Sequence, residues 1–147
     1  MLLNKSKVKI GVGDILLLIV TVLYAVGIRV WFPVCDKMTS SGTYMTCHWV
    51  GEILKVLTIV LIVLAVFHIV IPSYGFKAGI DIAVLLLFAV IYKLPGGIVN
   101  LCKMDTMNCV AHTKPSTVIY AIIGVLIAVF DLAVIVIFAN KEKHKRA

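Results

Sequence analysis

Four apolar runs, Ile15–Phe32, Val50–Ile71, Phe76–Leu94 and Thr117–Ala139, take up more than half of this 147-residue chain. A helix crossing a hydrocarbon core about 30 Å thick needs roughly 20 mostly apolar residues, at about 1.5 Å of rise each. All four runs are of that order, and each is apolar on every side, so length rather than periodicity makes the assignment. The breaks are well marked. Pro33 ends the first run, Pro72-Ser-Tyr-Gly75 forms a tight turn, and Pro95-Gly96-Gly97 stops the third. Pro115-Ser116 leads into the fourth, with Ser116 or Thr117 placed to cap it.

Composition agrees: 62% of residues are apolar, 14% are charged, and the mean hydropathy is +1.11. Too little polar surface is present to clothe a soluble core, which excludes a soluble enzyme, a nucleic-acid module and a disordered chain. The first run has features of a secretory signal, with Lys5, Lys7 and Lys9 before it and Ala25-Val26-Gly27 within it. Its apolar stretch nevertheless continues through Ile28, Val30, Trp31 and Phe32, longer than a usual signal core, so it is expected to be a retained helix.

The net charge of +7 is explained by placement. Lys5, Lys7, Lys9, Lys141, Lys143, Lys145 and Arg146 sit in the two tails. The loops 33–49 and 95–116 carry only Lys37, Lys103 and Lys114, partly offset by Asp36 and Asp105. The positive-inside rule then predicts cytoplasmic termini and two exoplasmic loops in a prokaryotic plasma membrane. The basic tails suit contact with anionic lipid; nucleic acid is not an expected partner. The fold class expected is all-α, a polytopic four-transmembrane-helix bundle forming one membrane domain, 1–147, with no room for a separate soluble domain.

The two loops resemble each other. The first contains Cys35-Asp-Lys-Met38 and then Met45-Thr-Cys47-His48-Trp49; the second contains Cys102-Lys-Met104 and Met107-Asn-Cys109, with His112 following. Each is set between two spans, so the chain reads as a tandem duplication of a helical hairpin, about 1–75 and 76–147. Three chemistries compete for the cysteines. In an oxidising compartment, Cys35–Cys47 and Cys102–Cys109 disulfides would staple each loop, stabilising by roughly 2–3 kcal/mol apiece. Alternatively, thiolate, thioether and imidazole form a soft ligand set suited to Cu(I), drawn from Cys35, Met45, Cys47 and His48 or from Cys102, Met107, Cys109 and His112. The third is thiol–disulfide exchange. A four-span protein with a cysteine pair in each outer loop resembles the quinone-linked membrane proteins that generate disulfides. Those proteins use C-x-x-C in the first loop, whereas eleven residues separate Cys35 from Cys47 here. A membrane quinone reductase is excluded for want of any C-x-x-C.

The run Met45-Thr-Cys47-His48-Trp49 with Glu52 beyond it, together with Leu101-Cys102, Met107-Asn-Cys109 and Thr113-Lys114-Pro115, resembles an uncharacterised prokaryotic family of small four-span membrane proteins, classed as a domain of unknown function. The resemblance covers nearly the whole chain. Members of that family are often encoded beside ABC-transporter permeases, which implies an accessory subunit and supplies no activity.

Ionisable residues within the spans each need a reason, at about 2.5–3.5 kcal/mol apiece on insertion scales. Asp14, His68, Asp81 and Asp131 come one from each helix and all fall in the half nearer the termini, so they are able to meet in a bundle. Asp131 is the deepest, about 21 Å along its helix from Thr117. One reading is a proton- or cation-handling cluster in which His68 bridges carboxylates. The other is structural: Asp14 on a helix N-terminus, Asp81 with Lys77 one turn earlier, His68 on a backbone carbonyl, and Asp131 facing a partner or the bundle interior. Near the outer face, Glu52 is expected to pair with Arg29 and tie the first two helices together, with Lys55 nearby. Trp31, Phe32, Tyr44, Trp49 and Tyr92 are expected as outer interfacial anchors, and Tyr74 and Phe76 as inner ones. Gly124 and Ala128 form a small-xxx-small pair, a common helix-contact pattern that leaves oligomeric state open.

The leading functional expectation is a non-enzymatic accessory or interaction protein, associated with an ABC-type transporter and carrying a disulfide-stapled cap. A thiol–disulfide oxidoreductase and a Cu(I)-binding protein are the alternatives. No cofactor motif is present, and a nucleotide-binding G-x-x-x-x-G-K-[ST] loop is missing.

Overall fold

A computed structural model describes residues 11–34, 38, 40–101 and 107–146, with side chains as far as Lys141. Lys5, Lys7, Lys9, Cys35, Asp36, Lys37, Cys102, Lys103, Met104 and Asp105 lie outside the described residues, as do the side chains of Lys143, Lys145 and Arg146. Of the described residues 81% are helical, and four helices among them are long and apolar enough to cross a membrane. They are α1 (Val12–Val26), α2 (Thr46–Val70), α3 (Tyr74–Lys93) and α4 (Lys114–Arg146). A wide π turn, Gly27–Trp31, extends α1, and a second, Cys109–Thr113, runs into α4.

The helices alternate in direction, so the molecule has two unlike ends. One carries the start of α1, the α2–α3 turn and the end of α4; the other carries the two cysteine loops. α3 packs most extensively on α4, while α1 contacts both α2 and α4. Leu17, Leu54, Leu61, Val84, Phe88, Ile91, Ala121 and Ala128 are buried along the axis. Rows of Ile, Val, Leu and Phe, including Leu86, Leu126 and Phe130, face outward, as they do when the surrounding solvent is lipid. Buried Thr21 and Thr58 donate their hydroxyls to the Leu18 and Leu54 carbonyls, which satisfies them within their own helices.

Two close approaches depend on missing side chains. A Cβ on Gly124 would collide with the Phe88 ring, so the glycine opens the slot into which α3 inserts that ring. Gly124 and buried Ala128 thus serve packing inside the chain. Gly27 likewise leaves space for Phe32, whose ring folds back as the π turn ends.

Several local expectations are corrected. Phe32 is buried, at ring-centroid distances of 6.4 Å from Tyr24 and 5.8 Å from Tyr120, rather than anchored at an interface. Trp31, Tyr44, Trp49 and Tyr92 are exposed. Among the described residues Glu52 pairs with Lys55, at 2.6 Å and three residues on, while Arg29 faces outward. Local helical geometry brings Lys55 within reach without requiring two helices to converge on a charge. Finally, α4 begins at Lys114, so Ser116 and Thr117 lie inside it rather than capping it. Pro115 follows directly on the π turn, in which the Lys114 N–H reaches back to the Cys109 carbonyl.

Candidate functional site

Five ionisable side chains converge at the end that holds the α2–α3 turn. Asp14 lies in the first turn of α1, where its Oδ2 accepts the Gly11 N–H at 3.0 Å and supplies half of a capping box. Residues 71–73, with Pro72 at their centre, reverse the chain between α2 and α3, so His68 comes opposite Lys77 and Asp81. Lys77 and Asp81 are four residues apart on one face of α3. Asp131 arrives from α4 and lies over Gly13, where any Cβ would collide with its carboxylate.

His68 is the hub. Its Nδ1 is 2.9 Å from Asp14 Oδ1, and its Nε2 is 3.1 Å from Asp81 Oδ1 and 3.6 Å from Asp131 Oδ2. Lys77 donates to Asp14 Oδ2 at 2.7 Å. All five groups are buried, and His68 and Asp81 are 0% exposed. Two structural expectations are therefore replaced. Lys77 pairs with Asp14, 63 residues away in sequence, and not with Asp81 on its own helix. His68 faces three carboxylates and not a backbone carbonyl. The bridged cluster is the arrangement that forms.

Its formal charges balance only with two added protons, as when the imidazole and one carboxylate are both protonated. With all three carboxylates ionised, they face one ammonium and one imidazole, leaving two negative charges in excess with a neutral ring and one with a protonated ring. Nor are its hydrogen bonds complete. The close approaches to both His68 nitrogens are poorly directed, and these atoms, both Asp81 carboxylate oxygens and Asp131 Oδ2 are buried without a hydrogen-bond partner. An uncompensated buried ion costs several kcal/mol even after relaxation. Asp14, His68 and Asp131 each place a potential ligand atom within 4.8 Å of the others.

The loop end has a different chemistry. Cys47 in the first turn of α2 and Cys109 in the π turn before α4 are both buried, and their sulfurs are 3.2 Å apart. The two hairpins thus meet through the second cysteine of each loop. His48 stacks on Tyr44 with ring centroids 4.2 Å apart, whereas His112 is exposed; Met45 and Met107 are half-buried. Among the described residues, the candidate soft-metal ligands therefore do not gather beyond the sulfur pair. Both expected disulfides, Cys35–Cys47 and Cys102–Cys109, involve a cysteine outside the described residues.

The sequence marked four of the five clustered residues for their depth in the spans but assigned Lys77 to a neighbour on its own helix. Gly13, which makes room for Asp131, carries no signal of its own beside Gly11 in a run of mixed residues. Comparison with curated proteins and with solved structures yields no match. A family model does match, over residues 17–140, and the chain belongs to that family, Domain of unknown function (DUF4418).

Proposed function

We propose that this four-span membrane protein is a non-enzymatic subunit that holds a small cation, a proton or a metal ion, in the centre formed by Asp14, His68, Lys77, Asp81 and Asp131. The observation carrying this reading is the excess negative charge buried among four helices. A charge in that position is expensive unless matched, and intramembrane ionisable residues are functional candidates for that reason. Because every helix contributes a group or packs against one, occupancy would set how tightly the terminal ends of the helices draw together.

Membrane orientation and partners belong to the same proposal. The basic tails support cytoplasmic termini and a prokaryotic plasma-membrane location, which places the centre near the cytoplasmic face. An ABC-transporter permease is the proposed partner, on the family context given above; recovery of its components with the tagged protein from native membranes would support it, and recovery of none would remove it. Purified protein tests the cation reading itself. Its thermal midpoint should respond to at least one member of a panel of protons, Na⁺, Mg²⁺ and Zn²⁺, and Asp131→Asn should blunt that response. A midpoint indifferent to the whole panel contradicts the reading.

A second reading is favoured by the 3.2 Å approach of the Cys47 and Cys109 sulfurs. Thiol–disulfide exchange across the two hairpins, or a stapled cap, draws support from this juxtaposition. Cu(I) binding draws less, since His48 is engaged with Tyr44 and His112 points away from the core. Thiol alkylation before and after mild reduction separates inert staples from exchanging cysteines.

A further inference from the structure

The cation reading admits either protons or metal, and the donor geometry narrows that choice. We infer that the centre is a site for one divalent transition-metal ion of the Zn²⁺/Mn²⁺ class, ligated by carboxylate oxygens of Asp14 and Asp131 and by a ring nitrogen of His68. This inference rests on the proposal above and makes it more specific.

Three independent features support it. First, the ligand atoms of Asp14, His68 and Asp131 lie within 4.8 Å of one another. Ligands bound at about 2.0–2.2 Å span at most about 4.4 Å across the metal, so only a small contraction is needed. Second, the charge is matched. The carboxylates of Asp14, Asp81 and Asp131, less the ammonium of Lys77, leave two negative charges beside a neutral imidazole, the form that ligates. One divalent ion neutralises them. Third, polar atoms at the site are unpartnered: Nδ1 of the fully buried His68, which faces Asp14, and Oδ2 of Asp131 lack a hydrogen bond.

The remaining residues fall into supporting positions. Nδ1 faces the ligand carboxylate of Asp14 at 2.9 Å, while Nε2 faces Asp81 at 3.1 Å with Asp131 farther off at 3.6 Å. Asp81 then plays the part of the outer carboxylate that fixes the tautomer and orientation of a ligating histidine. Lys77 neutralises the second oxygen of Asp14, and Gly13 gives Asp131 its approach. A nitrogen and oxygen donor set suits borderline and hard divalent ions, in contrast with the soft sulfur ligands of the loops. Binding changes no oxidation state; a proton held by the ring nitrogen or carboxylates leaves as the ion enters.

The test uses the full-length protein in detergent, stripped with a chelator and titrated separately with Zn²⁺ and Mn²⁺. One ion should bind per chain and raise the thermal midpoint. His68→Gln and Asp131→Asn should each weaken binding at least tenfold, whereas Cys47→Ser and His112→Gln should leave it unchanged. X-ray absorption of the Zn²⁺-loaded wild-type protein needs no variant to fold, and should show nitrogen and oxygen neighbours near 2.0–2.2 Å without sulfur near 2.3 Å. Failure to bind either ion, sulfur in the coordination shell, or affinity untouched by the His68 and Asp131 variants overturns the metal site. A stripped protein whose stability responds to pH but to neither metal overturns this inference and leaves the broader cation reading in place.

Discussion

The two ends of the bundle solve the problem of buried polar groups differently. At the loop end, polarity is small and local. Cys47 and Cys109 meet at 3.2 Å, the rings of Tyr24, Phe32 and Tyr120 pack together, and Glu52 finds Lys55 on its own helix. At the terminal end, four ionisable groups from three helices gather at the His68 imidazole of the remaining one, with three carboxylates to one ammonium. The loop end leaves neutral hydroxyls, those of Tyr24 and Thr117, buried without a hydrogen-bond partner among the described residues. The terminal end leaves ionisable groups in that state, and on the proposed reading added positive charge completes it. In a chain that devotes most of its residues to facing lipid, such an imbalance is the strongest indication of where function resides.

Substitutions should separate the two ends by the size of their effects. Lys77→Met removes the one ammonium in the centre and strands Asp14, so it should have the largest effect, a loss of about 3–5 kcal/mol in denaturant or thermal unfolding of the purified protein. An effect below about 1 kcal/mol would mean that the centre is well hydrated, and the contrast between the ends would vanish. Gly13→Ala should be next, at about 1–3 kcal/mol, because its methyl group occupies the place of the Asp131 carboxylate. It should also weaken any cation response, which separates it from a simple packing defect. At the loop end, Tyr120→Leu should cost about 0.5–1.5 kcal/mol by removing two ring contacts, 5.4 Å from Tyr24 and 5.8 Å from Phe32, with the cation response intact. Glu52→Gln should be smallest, at about 0–1 kcal/mol, since both partners of that pair are substantially exposed.

The same contrast explains what the sequence revealed. The spans were legible because length and apolarity alone carry them, and α2 and α3 fall within a few residues of the expected bounds. Asp14, His68, Asp81 and Asp131 stood out because an ionisable residue in an apolar run is costly wherever it points. Their meeting followed from depth, since antiparallel helices bring equal depths together. Partner choice was not legible. Lys77 prefers Asp14 over Asp81, and Glu52 prefers Lys55 over Arg29, because rotation of each helix about its axis decides which side chains face inward. That rotation is set by small-to-large packing such as Phe88 into Gly124, which a residue pattern apolar on all sides does not encode. The inward turn of Phe32 was hidden for a similar reason: it depends on the π turn at Gly27–Trp31, a local widening with no composition signal.

On the proposed reading, the terminal end lacks positive charge and is completed by a bound cation. The double variant Asp81→Asn/Asp131→Asn leaves only the Asp14–Lys77 pair charged, with His68 neutral, and so balances the centre without any ion. Thermal unfolding of wild type and double variant, each with and without saturating Zn²⁺ and across a range of pH, compares the two conditions directly. The ion-free variant should be at least as stable as the ion-free wild type, and added cation, Zn²⁺ or protons, should stabilise only the wild type. A wild type that is the more stable of the two without added cation, and that gains nothing from either, would contradict it.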